Sequence, residues 1–147
     1  KGISTCIDTS GSPFTREEPF FPRFQGLMKV TDLLLVDIKV IDSKKHRVLT
    51  GKSNENILDM LRYLDEIHKP VWIRHVLVPG YTDFDEDLNA TRRFIDGLHN
   101  VERVEVLPFH KMGEFKWKEL HLDYLLGKVE PPSNERVKNA ENILVKK

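Results

Sequence analysis

Leu33-Leu34-Leu35-Val36-Asp37-Ile38-Lys39 is the stretch that decides the fold. Its apolar residues run on without a break, too short for a helix stripe and without the polar alternation of a half-covered strand, which predicts a strand of a parallel sheet covered on both faces. Moving outward, Val71 to Val78 forms a second such run and stops at Pro79-Gly80. Ile3 to Asp8 forms another, ending at the turn-like Ser10-Gly11-Ser12-Pro13, and Val104 to Leu107 a fourth, stopped by Pro108. Amphipathic stretches separate them, so the chain reads as α/β, with βα units around a parallel sheet or barrel.

The helices follow from the same pattern. Arg16 to Val30 is expected to be regular only in its later part, because Pro19 and Pro22 restrict its beginning. The segment Asp42 to Arg47 reads as a solvated helix start. Asn54 is placed to cap a helix whose stripe is Ile57, Leu58, Leu61 and Leu64, with Glu55 in its first turn. Asp83 and Glu86 have the spacing of a capping box, ahead of a stripe of Phe84, Leu88, Thr91, Phe94, Ile95 and Leu98. A helical stretch after Gly113 and a last helix from Ser133, with Val137, Ala140 and Leu144 on one face, complete the chain. Trp72 and Trp117 are expected in the core.

Composition excludes several classes. Lys plus Arg and Asp plus Glu number 23 each in 147 residues, so no net charge draws the chain to nucleic acid or a membrane surface. No apolar run approaches a membrane span and no signal-peptide pattern is present, which makes the cytoplasm the expected location. The one cysteine, Cys6, cannot form an internal disulfide or supply a multi-thiolate metal site, and is expected to be a buried structural thiol. The six histidines show no i,i+4 pair, and the glycines fall singly, without phosphate-loop spacing. The chain opens on Lys1-Gly2 without an initiator Met, as a piece of a longer protein would.

In βα architectures the loops after the strands build the site, so strand ends are read first. They carry Asp8-Thr9, Asp37-Ile38-Lys39, Val78-Pro79-Gly80 and Pro108-Phe109-His110. Asp8 and Asp37 could together hold a cation or do acid–base work, or each could cap a turn. Lys39, on the same side of its strand as Asp37, could pair with it or meet a ligand carboxylate, or be an exposed loop lysine. Arg74 sits among Val71, Trp72, Ile73, Val76 and Leu77 and needs an anionic partner, from a ligand or from a neighbouring strand. His110 follows a stiff strand end. His75, on the opposite face from Arg74, reads as structural.

Taken in order, Thr5-Cys6-Ile7-Asp8-Thr9-Ser10-Gly11, Leu35-Val36-Asp37-Ile38-Lys39, Val71 to Gly80 with Thr82-Asp83, Leu107-Pro108-Phe109-His110-Lys111-Met112-Gly113 with Lys116-Trp117, and Val129-Glu130-Pro131-Pro132 resemble the pyruvate formate-lyase activating enzymes of the radical-SAM superfamily. The resemblance implies a splayed, partial (β/α)6 barrel, of which residues 1–147 would be the last four βα units, with the cluster-binding part missing. It implies S-adenosylmethionine and a [4Fe-4S] cluster at the C-terminal strand ends. It also implies that Lys39, Arg74 and His110 lie against S-adenosylmethionine, and that Asp8, Thr9 and Asp37 hold a monovalent cation, with a backbone carbonyl from Leu35. The activity implied is reductive cleavage of S-adenosylmethionine to a radical that abstracts hydrogen from a glycine of pyruvate formate-lyase or a related enzyme, with a flavodoxin-type electron donor. Two family motifs are absent, the C-x-x-x-C-x-x-C cluster loop and the Gly-Gly-Glu-Pro-type motif, so the chain alone is expected to be inactive and to hold no catalytic residue. A non-catalytic α/β anion-binding module and a radical-SAM enzyme acting on a small molecule are the alternatives.

Overall fold

A computed structural model describes residues 2–145. Among them the elements run β1 (Cys6–Thr9), α1 (Phe20–Met28), β2 (Leu33–Asp37), α2 (Ser43–Thr50), α3 (Glu55–Glu66), β3 (Val71–Leu77), α4 (Asp85–Asp96), β4 (Val101–Pro108), α5 (Glu114–Glu119) and α6 (Asn134–Leu144). The strands form one sheet in the order β1-β2-β3-β4, every neighbouring pair parallel. This is the βα architecture expected from the alternation of apolar runs. The strand ends fall within one residue of expectation, but two starts differ by three: β1 begins at Cys6 rather than Ile3, and β4 at Val101 rather than Val104.

Coverage of the sheet is one-sided, contrary to the reading of β2. Leu34, Val36 and Ile38 are buried, while Leu33, Leu35 and Asp37 between them are only half-buried. In β3 the buried residues are Val71, Ile73, His75 and Leu77, and the half-buried ones Trp72, Arg74 and Val76. The covered face packs on α3 through Ile57, Met60, Leu61 and Leu64, joined by Phe14 and Met28. A second apolar cluster joins Leu77, Leu88, Ala140 and Leu144, which draws α4 and α6 together. Truncating a buried leucine such as Leu61 or Leu64 would cost about 2–5 kcal/mol.

The Phe-rich segment closes one side of this core. Phe14 meets Phe24 edge-on at 5.1 Å between centroids, and Phe21 meets Tyr63 of α3 at 5.0 Å. Pro22 is tolerated because it falls in the first turn of α1, where backbone N–H groups have no intrahelical acceptor to lose.

Several local expectations are corrected. Asn54 stands at the start of α3 but does not cap it; its amide donates instead to the carbonyls of Val40 and Ile41, at 2.8 and 2.7 Å. Asp83 and Glu86 form no capping box: Asp83 accepts from the Gly80 N–H at 2.8 Å and pairs with Arg136. Phe84 is exposed, lying under the Lys45 ammonium rather than in the core. Trp117 is exposed and Trp72 half-buried, its ring face covered by Arg103. Cys6 is exposed, because the face of β1 it occupies is the uncovered one.

The solvated segment does start a helix, capped by Asp42, whose side chain accepts from the Lys45 N–H at 2.8 Å. It is less solvated than expected, since His46 is buried and Lys45 pairs with the buried Asp87 at 2.7 Å. Ser133 caps α6 as expected, accepting from the Arg136 N–H. No helix among the described residues is long and apolar enough to cross a membrane.

Candidate functional site

Parallel register brings the strand-end residues together. Asp37 lies opposite Arg74, and Arg74 opposite Glu105, so an acid, a base and an acid follow one another across the middle of the uncovered face. Asp8, on β1 and two residues nearer the strand start in register, reaches Arg74 with its carboxylate. The Arg74 Nε lies 3.3 Å from Asp37 Oδ1, and Lys39 Nζ donates to Asp37 Oδ2 at 2.8 Å. Four of the six residues singled out from the sequence therefore form one connected ion-pair group: Asp8, Asp37, Lys39 and Arg74.

The group is balanced in charge but not in hydrogen bonds. Arg74 Nε and Asp37 Oδ1 are buried and face each other at ion-pairing distance, yet neither completes a hydrogen bond. Such orphaned polar atoms are costly and mark a place where a partner of better geometry would be welcomed. The Arg74 guanidinium is held protonated more firmly than usual, chiefly by the hydrogen bond to Asp8, against the opposing effect of burial, with Asp37 and Glu105 adding to the field. Two carboxylates and two cations at one strand edge suit a zwitterion, because an incoming carboxylate can take over Lys39 or Arg74 while an incoming ammonium takes over the acid released.

The other two predicted residues stand apart. Thr9 serves its own turn, its hydroxyl accepting from the Gly11 N–H at 3.0 Å. That turn needs glycine: Gly11 has φ +68°, and a Cβ there would lie 2.7 Å from Met60 Cε. His110 is exposed and makes no hydrogen bond or ion pair with the other five; the preceding Phe109 is buried, its N–H on the Leu77 carbonyl at 3.1 Å.

Glu105 was missed by reading strand ends alone, as it lies inside β4 and only the register with Arg74 reveals it; Arg103 binds it at 2.9 Å. Asn54 was misread as a cap, although a buried amide holding two carbonyls of the β2–α2 loop fixes the path of the chain just after Lys39. Among the described residues no three His, Cys, Asp or Glu side chains gather in a way that could hold a metal ion.

Known proteins share this arrangement of elements. No family model matches the chain. The pyruvate formate-lyase-activating enzyme of Streptococcus mutans is 50% identical over 144 residues, covering 98% of this chain. This chain is a homologue of the pyruvate formate-lyase-activating enzymes. A crystal structure of a domain of such an enzyme from Bacteroides vulgatus matches with a TM-score of 0.75 at 25% identity, covering 98% of this chain and 76% of that one. A radical SAM methyltransferase from Sphaerobacter thermophilus shares the fold, with a TM-score of 0.64 at 21% identity, over 95% of this chain and 37% of that one. The four parallel strands and their helices thus share the fold of these two solved proteins, consistent with a partial barrel. The chain spans 55% of the length of its S. mutans relative.

Proposed function

We propose that this chain forms the S-adenosylmethionine-facing part of a radical-SAM activating enzyme that installs a glycyl radical on pyruvate formate-lyase or a related enzyme. The observation that carries the reading is the ion-pair group of Asp8, Asp37, Arg74 and Lys39, which joins the ends of β1 and β2 to the middle of β3, in a chain half identical to an activating enzyme. The methionine end of S-adenosylmethionine is a zwitterion, the chemistry this group suits. Lys39 and Arg74 would hold its carboxylate, and His110, free and beside the rim in sequence, would contact the rest of the molecule. Asp8 and Asp37, with the Leu35 carbonyl, would offer oxygen donors to a monovalent cation, and Thr9 would join them only by leaving the Gly11 N–H.

The residues present do not fit the iron–sulfur cluster. Such a cluster in this family takes three thiolates, and the chain has the one exposed Cys6. The cluster loop is therefore assigned to residues outside this chain, in a longer polypeptide where residues 1–147 form one partial-barrel domain. When bound, S-adenosylmethionine supplies the adenosyl group that removes hydrogen from the target glycine. The contribution of this chain is to hold the methionine end still and to balance its charge, the cofactor doing the hard chemistry. A flavodoxin-type protein is the proposed electron donor.

The test has two arms. The 147-residue chain is expected to bind S-adenosylmethionine in a calorimetric titration, and to release no 5′-deoxyadenosine with dithionite. A longer polypeptide carrying the cluster loop, reconstituted anaerobically, is expected to release it and to raise a glycyl-radical signal on pyruvate formate-lyase. A longer polypeptide that takes up no iron would leave a non-catalytic anion-binding module, and one that cleaves the cofactor but marks no glycyl-radical enzyme would leave a small-molecule reaction.

A further inference from the structure

We infer that His75 is a positioning residue: its imidazole is a strut that fixes where β2 leaves the sheet and so sets the Asp37–Lys39 pair against Arg74. The inference rests on the functional reading above for its purpose, though not for its geometry. Alternation along β3 turns Arg74 to the uncovered face and forces the next residue to the covered one, where His75 is almost wholly enclosed at 2% exposure. Both nitrogens of this buried imidazole face backbone carbonyls. Nδ1 lies 2.9 Å from the Ile38 carbonyl and Nε2 2.9 Å from the Thr82 carbonyl.

The two anchors are not equivalent. Thr82 is clamped to the end of β3, its hydroxyl donating to the Val76 carbonyl at 2.6 Å and accepting from the Val78 N–H at 2.7 Å. It is buried and supplies a fixed base. Ile38 is the first residue past β2, its N–H on the Arg74 carbonyl at 3.0 Å, beyond the last paired residues Asp37 and Arg74. Its carbonyl has left the ladder and is received by the ring instead. Because Ile38 stands between Asp37 and Lys39, whose side chains meet on the opposite face at 2.8 Å, fixing this one peptide fixes both charged side chains.

The ring also carries a choice. A neutral imidazole has one N–H and can donate to only one of the two carbonyls, so its tautomer decides which end of the strut is tied. Burial opposes the imidazolium that would serve both, while Asp37 favours it and Lys39 opposes it. His75 is thus linked to the rim by contact through Ile38 and by field through the two side chains it positions.

The test is amide hydrogen exchange on the whole 147-residue chain, with His75→Phe to remove the ring donor and His75→Gln to keep one. In His75→Phe the Ile38 amide is expected to exchange at least about tenfold faster while amides inside β2 and β3 keep their rates. The glutamine variant is expected to stay within about threefold of the parent. S-adenosylmethionine affinity should fall with the Ile38 effect and recover with Gln. Uniform acceleration across the sheet, or none at Ile38, would show ordinary core packing and overturn the inference. If the parent chain shows no response to S-adenosylmethionine, the functional reading fails, while the exchange pattern still decides the strut. Should His75→Phe not fold, the ring nitrogens of the parent decide by NMR: the Nδ1–H tautomer with a slowly exchanging ring N–H supports the strut, and the Nε2–H tautomer or a rapidly exchanging mixture overturns it.

Discussion

Arg16 and Arg74 are each flanked by two carboxylates, yet the two clusters differ in nearly every physical respect. Arg16 is 38% exposed and fully satisfied: it bonds Asp59 at 3.0 Å and Glu66 at 2.8 Å and lies over the Tyr63 ring. Its guanidinium is held strongly protonated by the hydrogen bonds to Glu66 and then Asp59. It fastens the Phe-rich segment to α3, and there is nothing left for a ligand to take. Arg74 is 19% exposed, its Nε completes no hydrogen bond, and Lys39 stands two residues beyond its Asp37 partner. The contrast teaches that an arginine between acids is a fastener when every donor is used in water, and a site when burial leaves donors facing acceptors without satisfying them.

The largest expected effect is at the incompletely satisfied cluster. Arg74→Met should weaken S-adenosylmethionine binding by about 30-fold, the worth of a charge-assisted hydrogen bond of about 2 kcal/mol, while Arg16→Met leaves the calorimetric affinity unchanged. Equal losses from both would erase the distinction. Asp37→Asn keeps the shape and removes the charge, so affinity should drop by about tenfold with little change in melting temperature. A lowered melting point with affinity intact would make Asp37 structural, like Asp59.

Arg16→Ala should cost stability rather than binding, by about 1 kcal/mol in urea unfolding because an exposed network is worth little more. Added salt should reduce that difference. A larger loss that salt leaves untouched would move Arg16 into the class of buried pairs.

Acid separates the regions on another axis. Burial holds the His75 imidazole below the ordinary histidine range, so the unfolded chain binds its proton first. Stability from His75 is complete above the unfolded value of about 6.5 and is lost as pH falls below it. Glu66 is held below the ordinary carboxylate range chiefly by its hydrogen bond from Arg16. Its small contribution is complete above about pH 4.3 and fades only below that. Unfolding measured between pH 6.5 and 5 should therefore show a slope that His75→Phe removes and Arg16→Ala leaves alone.

Much of this was legible before any coordinates. The apolar runs marked all four strands because parallel strands need side chains that can be buried, and punctuation by Pro79-Gly80 and Pro108 marked where they stop. Asp8, Asp37, Lys39 and Arg74 were legible because a charge at the end of such a run has nowhere ordinary to go. What escaped depended on neighbours distant in sequence. A continuous Leu-Leu-Leu-Val run reads the same whether one face or two is covered, so the open face of β2, and with it the exposure of Cys6 and the half-burial of Trp72, was missed. Asn54 and Asp83 have the residue types of caps, and local pattern cannot show that a loop carbonyl or a partner arginine has already engaged them. Glu105 and the second role of His75 exist only through register.

β1 has four residues and one neighbour, and its base is stitched by side chains: the Thr5 N–H donates to Asp32 Oδ2 at 2.7 Å and the Thr5 hydroxyl to the Val30 carbonyl at 2.7 Å. Beyond that stitch, the strand is held by its ladder to β2 and by the half-buried Ile7, with none of its four residues fully buried, the conditions under which a segment detaches without the rest of the molecule melting. Asp8 rides on this edge strand. Each excursion of β1 would carry the Asp8 carboxylate away and expose the Arg74 guanidinium to whatever anion is near, then return to compete with it. The affinity of the rim for a carboxylate is therefore a contest with a tethered rival, whose strength is set by how tightly four residues cling to a sheet edge.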